Sequence, residues 1–328
     1  MHCLPIKYLG VDLSASSLDI KNEHEVLLLF AGDARMRQAP FIAIFFCLAF
    51  LPRVGRTQTT ISQRPLDITV GNGLWGVFLP EYELGLDSVD QVALFDDGQF
   101  FGYQGDLRIN RRFLHTRTNV EARAFYGFSE SSKSNLVDSL SLENFGEVPQ
   151  SPFGNGSASL ASGLDHYGYD FGLRDTWRTR WGGLSAGCLF SYMVFDQVYE
   201  ASFNNEQFLR EELDSEFIGG KAVFGWDGFI HENPALFDLA LGFYQLRADY
   251  SGEMTRTGDR EENYRYTNPM TIDANFTLHH EVRKVRLSST IGITHLGEMP
   301  LISRADGEFA SIEFDDGILI KLIFEVLL

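Results

Sequence analysis

The sequence predicts an all-β protein, an antiparallel up-and-down transmembrane β-barrel of about ten strands, with twelve as an alternative. Three observations predict this class. Apolar and polar residues alternate over successive short segments from residue 86 onward, as they do on the two faces of a strand. The connections between these segments are long and short in turn. After the N-terminal region no run of about 20 apolar residues occurs, which excludes a bundle of membrane-spanning helices.

The composition favours strands over helices. The 328 residues include 28 Phe and 31 Gly, residue types common in strands and turns. Hydrophobic residues make up 44% and charged residues 22%, a balance that barrel strands reach because they alternate the two kinds. The formal net charge is −18, which repels phosphate groups, so nucleic acid is excluded as a partner.

The N-terminal region predicts an exported protein. Residues 36–57 read as a signal peptide, because Met36 and Arg37 form a positive start and the apolar stretch Pro40–Leu51 is too short to span a bilayer. Residues 1–35 precede it as a leader. We expect translation to start at Met36, which would leave this leader out of the protein.

The predicted barrel covers residues 86–328, and its alternation is clearest in the last strand. The apolar face of that strand consists of Ile318, Ile320, Leu322, Phe324, Val326 and Leu328, with Lys321 and Glu325 on the other face. The other predicted strands are 86–95, 98–110, 117–128, 165–177, 183–197, 216–230, 235–249, 262–280 and 283–295. Residues 58–85 are left open as a linker, a plug or an additional hairpin.

The predicted connections are sorted by length. The long ones are 129–164, 198–215, 250–261 and 296–309, and the short ones are 111–116, 178–182, 231–234 and 281–282. Only Asp96–Asp97 breaks the rhythm, as a tight turn on the long side. Membrane barrels place short turns on one side and long loops on the other, whereas a soluble sandwich has no reason to sort them.

Aromatic residues follow the same division. Near the short turns lie Trp177, Trp181 and Trp226, and near the long loops lie Tyr126, Phe128, Tyr167, Tyr192, Tyr199, Tyr250, Tyr264 and Tyr266. Amphipathic rings concentrate at the two interfaces of a membrane. The alternative is an aromatic core inside a soluble sheet.

The signal peptide, the alternating connections and the final strand GILIKLIFEVLL resemble those of bacterial outer-membrane β-barrel proteins. The resemblance covers about residues 86–328, is one of pattern, and points to no subfamily. Such proteins usually end in an aromatic residue, whereas this chain ends in Leu328, with Phe324 four residues earlier. The resemblance implies location in the outer membrane, contact with its lipid and lipopolysaccharide, and insertion by the barrel assembly machinery.

The faces opposite the apolar ones carry both signs of charge. These residues are Asp106, Arg108, Glu121, Arg123, Asp170, Arg174, Lys221, Asp227, Asp238, Asp273, Arg286, Lys321 and Glu325. On a lipid face each would cost roughly 2–4 kcal/mol at the midplane. A ten-stranded barrel is narrow, so we predict a lumen largely filled by ion pairs. A narrow polar channel is the alternative.

No catalytic, cofactor-binding or metal-ligating residue is predicted, and no cofactor. His166 with Asp165 and Asp170 is the nearest match to a catalytic group at the rim of a barrel, but a structural histidine is favoured. His279 and His280 lie near the opposite end. The GxSxG, HExxH, P-loop and CxxC patterns are absent.

Two acidic clusters fall in predicted outer loops, where they could bind divalent cations such as Ca²⁺, although a solvated acidic surface is favoured. They comprise Glu211, Glu212, Asp214 and Glu216, and Glu253, Asp259, Glu261 and Glu262. The leading prediction is a non-enzymatic outer-membrane barrel, structural or with a narrow pore. The alternatives are an outer-membrane barrel hydrolase with a rim active site and a secreted soluble all-β binding protein.

Overall fold

The computed structural model describes residues 66–86, 92–113, 116–137, 154–180, 182–230, 233–255, 258–282, 285–303 and 310–328. The predicted leader and signal peptide lie outside these ranges. The described residues form the strands β1 (Leu66–Phe78), β2 (Tyr82–Leu86), β3 (Val92–Asp96), β4 (Gln99–Arg112), β5 (Thr118–Val137), β6 (Gly156–Thr179), β7 (Gly182–Phe203), β8 (Glu206–Ile230), β9 (Asn233–Met254), β10 (Arg260–Thr267), β11 (Met270–Val282), β12 (Val285–Ser303) and β13 (Ser311–Leu327). Over these ranges no helix has the length and apolar character needed to cross a membrane.

Ten of these strands form a closed antiparallel ring. Its order is β9, β11, β12, β13, β1, β4, β5, β6, β7, β8 and back to β9. The first and last strands close it, with Leu74 opposite Leu322. β10 precedes β11 along the chain and pairs with the outer part of β9. The predicted all-β antiparallel barrel of ten strands is therefore confirmed.

The first strand is not the predicted one. Among the described residues the barrel begins at Leu66 rather than at residue 86. Of the predicted strand 86–95, Leu86 ends β2 and residues 92–95 lie in β3, and these two strands form a separate two-stranded sheet. The sequence pattern does not predict β1, because glycines interrupt its alternation. One of them is required by close approach, since a Cβ on Gly73 would overlap the carbonyl oxygen of Leu322. The connection from β1 to β4 is long and includes Asp96 and Asp97. The alternation of long and short connections therefore holds here as well.

Strands extend into all four predicted long loops, which corrects the boundaries given above. Segment 198–215 forms the outer ends of β7 and β8, joined by Asn204 and Asn205 in left-handed conformations. β8 has 25 residues, whereas about 9–11 suffice to span a bilayer. Strands continue into the segments 129–164 and 250–261 from both sides, and β12 continues into 296–309 as far as Ser303. The wall of the barrel therefore extends well beyond a membrane.

An apolar band surrounds the outside of the ring. The exposed side chains that form it include Leu74, Phe101, Phe171, Leu173, Phe190, Ile218, Phe224, Phe243, Ile272, Ile291, Ile293, Ile320 and Phe324. A water-soluble monomer does not expose a continuous apolar surface of this extent. The predicted outward orientation of the apolar faces is confirmed, and the band marks the part of the wall that contacts lipid.

The interior has two layers. The charged layer, on the side of the short turns, consists of Asp106, Arg108, Glu121, Arg123, Asp170, Arg174, Lys221, Asp238, Asp273, Lys321 and Glu325. The outer core, toward the long connections, is apolar. Its wall residues include Trp75, Val77, Phe100, Phe125, Leu160, Leu164, Met193, Phe195, Leu209, Leu213, Phe217, Tyr244, Leu246, Ala248, Leu296 and Met299, and the β2–β3 hairpin adds Tyr82 and Leu84.

Candidate functional site: the lumen of the barrel

Ion pairs connect strands across the charged layer. Arg174, on β6, lies 3.1 Å from Glu121 on β5 and 2.7 Å from Asp238 on β9. Arg123 donates from Nε to Asp106 Oδ2 at 2.8 Å. Two strands separate β6 from β9 in the ring, so the pair of Arg174 with Asp238 reaches across the lumen rather than along the wall.

Lys221 forms a second bridge of this kind. Its Nζ, on β8, lies 3.2 Å from Asp170 on β6 and 3.3 Å from Asp273 on β11. A further ion pair in the charged layer joins Arg108 to Glu325, with 3.6 Å between Arg108 Nη2 and Glu325 Oε1. The predicted ion pairing of the inward charges is confirmed for these residues. Asp227, at the short-turn end, instead accepts a hydrogen bond from the backbone N–H of Gly183.

The sequence-predicted candidate His166 lies inside the barrel, 3% exposed, and not at the rim. Its ring stacks on Phe195 at a centroid distance of 4.3 Å and lies 4.8 Å from Phe125 and 5.5 Å from Trp75. The indole of Trp75 is itself held by a 3.0 Å hydrogen bond from Nε1 to the backbone oxygen of Tyr103. His166 is therefore enclosed by three aromatic rings.

The two acidic residues considered with His166 lie elsewhere. Asp165 is on the opposite face of β6, where the Tyr126 hydroxyl donates to it at 3.2 Å. Asp170 is four residues further along the strand, roughly 13 Å away at the rise of a β-strand, and its carboxylate pairs with Lys221. The structure does not bring the three residues together as a catalytic group.

A cavity of ≈ 80 Å³ lies within the charged layer and reaches the lower edge of the outer core at Phe125, Met193 and Tyr244. It is lined by His166 and by charged side chains such as Arg123, Lys221 and Lys321. Several buried polar atoms of its lining have no hydrogen-bonding partner among the described residues. These atoms are Gln104 Oε1, both ring nitrogens of His166, Thr271 Oγ1 and Asn275 Oδ1. The cavity is thus polar although it lies directly beneath an apolar core.

The β2–β3 hairpin occupies the outer mouth. The ring of Tyr82 stacks on Tyr199, with centroids 4.0 Å apart and planes at 7°. The Tyr82 hydroxyl donates to Glu211, which also accepts a 2.5 Å hydrogen bond from Tyr250. Burial, together with the nearby carboxylates of Asp96 and Glu211, raises the pKa of Tyr199.

The end of the hairpin is fixed to the wall by two further contacts. The carboxylate of Asp96 accepts hydrogen bonds from the Ser162 hydroxyl and from the backbone N–H of Gly98, the latter at 2.9 Å. Asp97 pairs with Lys133 at 2.9 Å, and this hydrogen bond lowers the pKa of Asp97. The hairpin is therefore held by side chains, since it shares no sheet with the ring.

Glu211 corrects the prediction of an exposed acidic loop. It is 0% exposed and faces inward with Leu213 and Phe217, two and six residues further along β8. Residues an even number of positions apart share one face of a strand, so the apolar residues Leu213 and Phe217 are the sequence signal that Glu211 faces inward. The Glu212 side chain, by contrast, is exposed and pairs with Arg210 at 2.8 Å.

The outward acidic residues lie on the wall beyond the apolar band. The strand register places Asp196 opposite both Asp165 and Asp214, and Asp214 opposite Asp249. Within the described ranges no group of three or more His, Cys, Asp or Glu side chains is arranged to hold a metal ion. Divalent-cation binding stays a prediction.

A closed ring, an apolar band outside and charges inside are what a strand-built protein needs to span lipid, because every backbone polar group is satisfied within the wall. Sorted connections and an even strand count are typical of the bacterial outer membrane. The described part of this chain has the architecture of an outer-membrane β-barrel.

No known family model matches the chain, and no curated protein matches it. Among solved structures it is similar to the outer membrane protease OmpT from Escherichia coli, with 9% identity, a TM-score of 0.40 and coverage of 82% of this chain and 97% of that one. A Pseudomonas aeruginosa FadL homologue gives 8% identity, a TM-score of 0.29 and coverage of 80% and 90%. The transport unit of the autotransporter AIDA-I from Escherichia coli gives 9% identity, a TM-score of 0.25, and coverage of 86% of this chain and 96% of that one. Similarity at this level carries no assignment of activity.

Proposed function

We propose that this barrel does not conduct solutes and that its role is structural, carried by the rigid wall that it extends outside the cell. The observation that carries the proposal is the outer core, in which apolar side chains from many strands of the ring meet within the lumen. An open channel needs a continuous polar path, and the outer core interrupts it. The narrow-pore alternative would require this core to move aside.

Packing within the outer core supports a closed lumen. Phe217 lies edge-on to Phe195 and to Tyr244, each at a centroid distance of 5.9 Å, so three neighbouring strands contribute to one aromatic cluster. Such edge-to-face contacts contribute about 0.5–1.5 kcal/mol beyond the burial of area. Moving these rings apart would lose that contribution and also expose apolar surface to water.

Two further layers obstruct the same path. The β2–β3 hairpin covers the mouth through Tyr82 and its buried partner Glu211. On the other side, ion pairs such as Arg174 with Asp238 cross the lumen. Three successive obstacles of different chemistry support a closed state more strongly than a single constriction would.

Conductance across a planar lipid bilayer tests the proposal. We expect refolded protein, whose insertion is verified by heat-modifiable migration on a gel, to give no stable single-channel steps. The matched variant replaces residues 80–97 by two glycines and carries Phe195→Ala and Phe217→Ala. Its ends can be joined, because Leu79 already donates a 2.9 Å backbone hydrogen bond to Gly98.

The variant is expected to show steps or a leak that the native chain lacks, which establishes that the assay detects an opened lumen. Stable steps from the native barrel, at a frequency that follows the amount inserted, would overturn the closed-lumen proposal in favour of a narrow pore.

A further inference from the structure

A polar side chain interrupts the apolar band at the seam where the first and last strands of the ring meet. Asn72, on β1, lies on the outer face between Val70 and Leu74, and its side chain is exposed like theirs. Phe324 of β13 lies directly opposite Asn72. No hydrogen bond joins the Asn72 amide group to another described residue. The amide is therefore directed at hydrocarbon, which can neither donate nor accept a hydrogen bond.

Asn72 lies near the middle of the band. Its neighbour on the other side is Gly105 of β4, which is six residues from Gln99 and six from Arg111, the outward polar residues at the two ends of that strand. At about 3.3 Å per residue, each of these lies roughly 20 Å away along a tilted strand, and the apolar band of a membrane barrel is about 25 Å tall. The short side chain of Asn72 cannot reach water, and an amide without a partner in hydrocarbon is unfavourable.

The surface beside Asn72 forms a notch. A Cβ on Gly105 would meet no atom within 4 Å, so this glycine leaves open space on the outer face that packing within the chain does not require. The rings of Tyr103 and Phe324 project on either side, 62% and 59% exposed. Surfaces within lipid associate through close packing at small residues and through hydrogen bonds between polar side chains, because burial from water no longer contributes. The Asn72–Gly105 notch offers both.

We propose that the Asn72–Gly105 notch is the centre of an interface with a second copy of this chain within the membrane. Two copies inserted in the same orientation are related by a two-fold axis along the membrane normal, so a residue at the axis meets its own copy at the same depth. An asparagine amide both donates and accepts hydrogen bonds. Two Asn72 side chains at the axis therefore form a reciprocal pair of hydrogen bonds, whereas any other partner would have to present a matching group at this depth.

Energy transfer between labelled barrels in lipid vesicles tests the interface. Donor and acceptor dyes are attached to Asp249→Cys, on the wall beyond the band, with the three native cysteines replaced by serine. We expect energy transfer that rises with the protein-to-lipid ratio and falls when unlabelled barrel is added. Asn72→Leu removes the amide and suits the lipid face, and Gly105→Leu fills the notch. Each is expected to raise the dissociation constant of the pair at least about tenfold.

Two controls make the result specific to the notch. Asn72→Gln keeps an amide and should retain most of the energy transfer. Ala222→Leu enlarges a small outward side chain on β8, five strands away on the opposite side of the ring, and should leave the dissociation constant unchanged. Heat-modifiable migration on a gel verifies that each variant is folded.

Energy transfer no greater than that of randomly distributed monomers, at every protein-to-lipid ratio, would overturn the proposal. So would energy transfer that either Asn72→Leu or Gly105→Leu leaves unchanged, or that Ala222→Leu lowers equally, because the copies would then meet through a different surface. The measurement does not depend on whether the barrel conducts.

Discussion

Within the membrane band, β9 points Leu241 and Phe243 outward and Asp238 into the lumen; Phe243 is 61% exposed. Beyond the band, the same strand points Arg247 outward and Leu246, which is 0% exposed, inward. The backbone continues without interruption, but the medium outside changes from hydrocarbon to water. The apolar face of a strand therefore points to hydrocarbon within the membrane and to the outer core beyond it. The alternation of apolar and polar residues inverts where the strand leaves the lipid.

The two layers of the lumen also differ in what holds them together. The outer core is stabilised by apolar burial, in the manner of a soluble protein. The charged layer depends on pairing, because a buried charge that loses its partner is strongly unfavourable. Placing a charge in the outer core should therefore destabilise the barrel strongly. Replacing both members of an ion pair in the charged layer by apolar residues should destabilise it much less than removing one member.

The largest effect is expected for Phe217→Asp, in the outer core. It removes a ring that packs on Phe195 and Tyr244 and buries an unpaired carboxylate. Loss of the ring alone costs about 3–5 kcal/mol, and the charge adds several more, so we expect no folded, heat-modifiable band on a gel. Phe217→Leu should still fold. Normal folding of Phe217→Asp would mean that the outer core is hydrated.

Breaking an ion pair in the charged layer should come next. Asp106→Ala leaves Arg123 without its hydrogen-bonded partner, which costs about 3–5 kcal/mol in urea unfolding. The double variant Asp106→Leu with Arg123→Met removes both charges and is expected to recover most of that loss. Equal destabilisation by the single and double variants would argue that the pair is not the source of the effect.

A positive charge on the outer surface tests the inversion directly. Leu241→Lys lies within the band and should destabilise the folded barrel by about 2–4 kcal/mol if it is near the midplane. Ser251→Lys, on the same face of β9 but beyond the band and opposite Glu212, should change stability by less than about 0.5 kcal/mol. Similar values for the two variants in lipid vesicles would place both residues in the same medium.

The smallest effect concerns the hairpin. Tyr250→Phe removes one of the two tyrosine hydroxyls bonded to Glu211, and hydrogen bonds to charged groups contribute about 1.5–3 kcal/mol. This hydrogen bond holds Glu211 in position to accept from Tyr82, so its loss is expected to speed proteolysis of the β2–β3 hairpin as well as to lower stability. Unchanged proteolysis would indicate that the hairpin is held by its apolar contacts alone.

The inversion explains what could and could not be predicted from the sequence. The apolar faces that contact lipid and the charged faces that pair in the lumen follow one rule, so both were readable. Beyond the band the same alternation carries the opposite meaning. The pattern therefore predicts a loop where β7 and β8 continue, and an exposed cluster where Glu211 is buried.

Two other features depend on contacts that local patterns do not contain. β1 is recognisable mainly through its pairing with β13, which is more than 200 residues away in the chain. The enclosure of His166 likewise combines side chains from β1, β5 and β7. Nothing in the spacing of residues around His166 identifies these partners.

The most direct test uses Cys188, which is exposed on the outer face of β7 beside Leu173 and Ala222. A nitroxide spin label on Cys188, with Cys3 and Cys47 replaced by serine, would report collisions with oxygen and with a water-soluble nickel complex in lipid vesicles. We expect collisions with oxygen to dominate at Cys188, and collisions with nickel to dominate when the label is moved to Asp249→Cys in a Cys188→Ser background. Dominant nickel collisions at Cys188 would show that the apolar band faces water, and would contradict the membrane-spanning barrel.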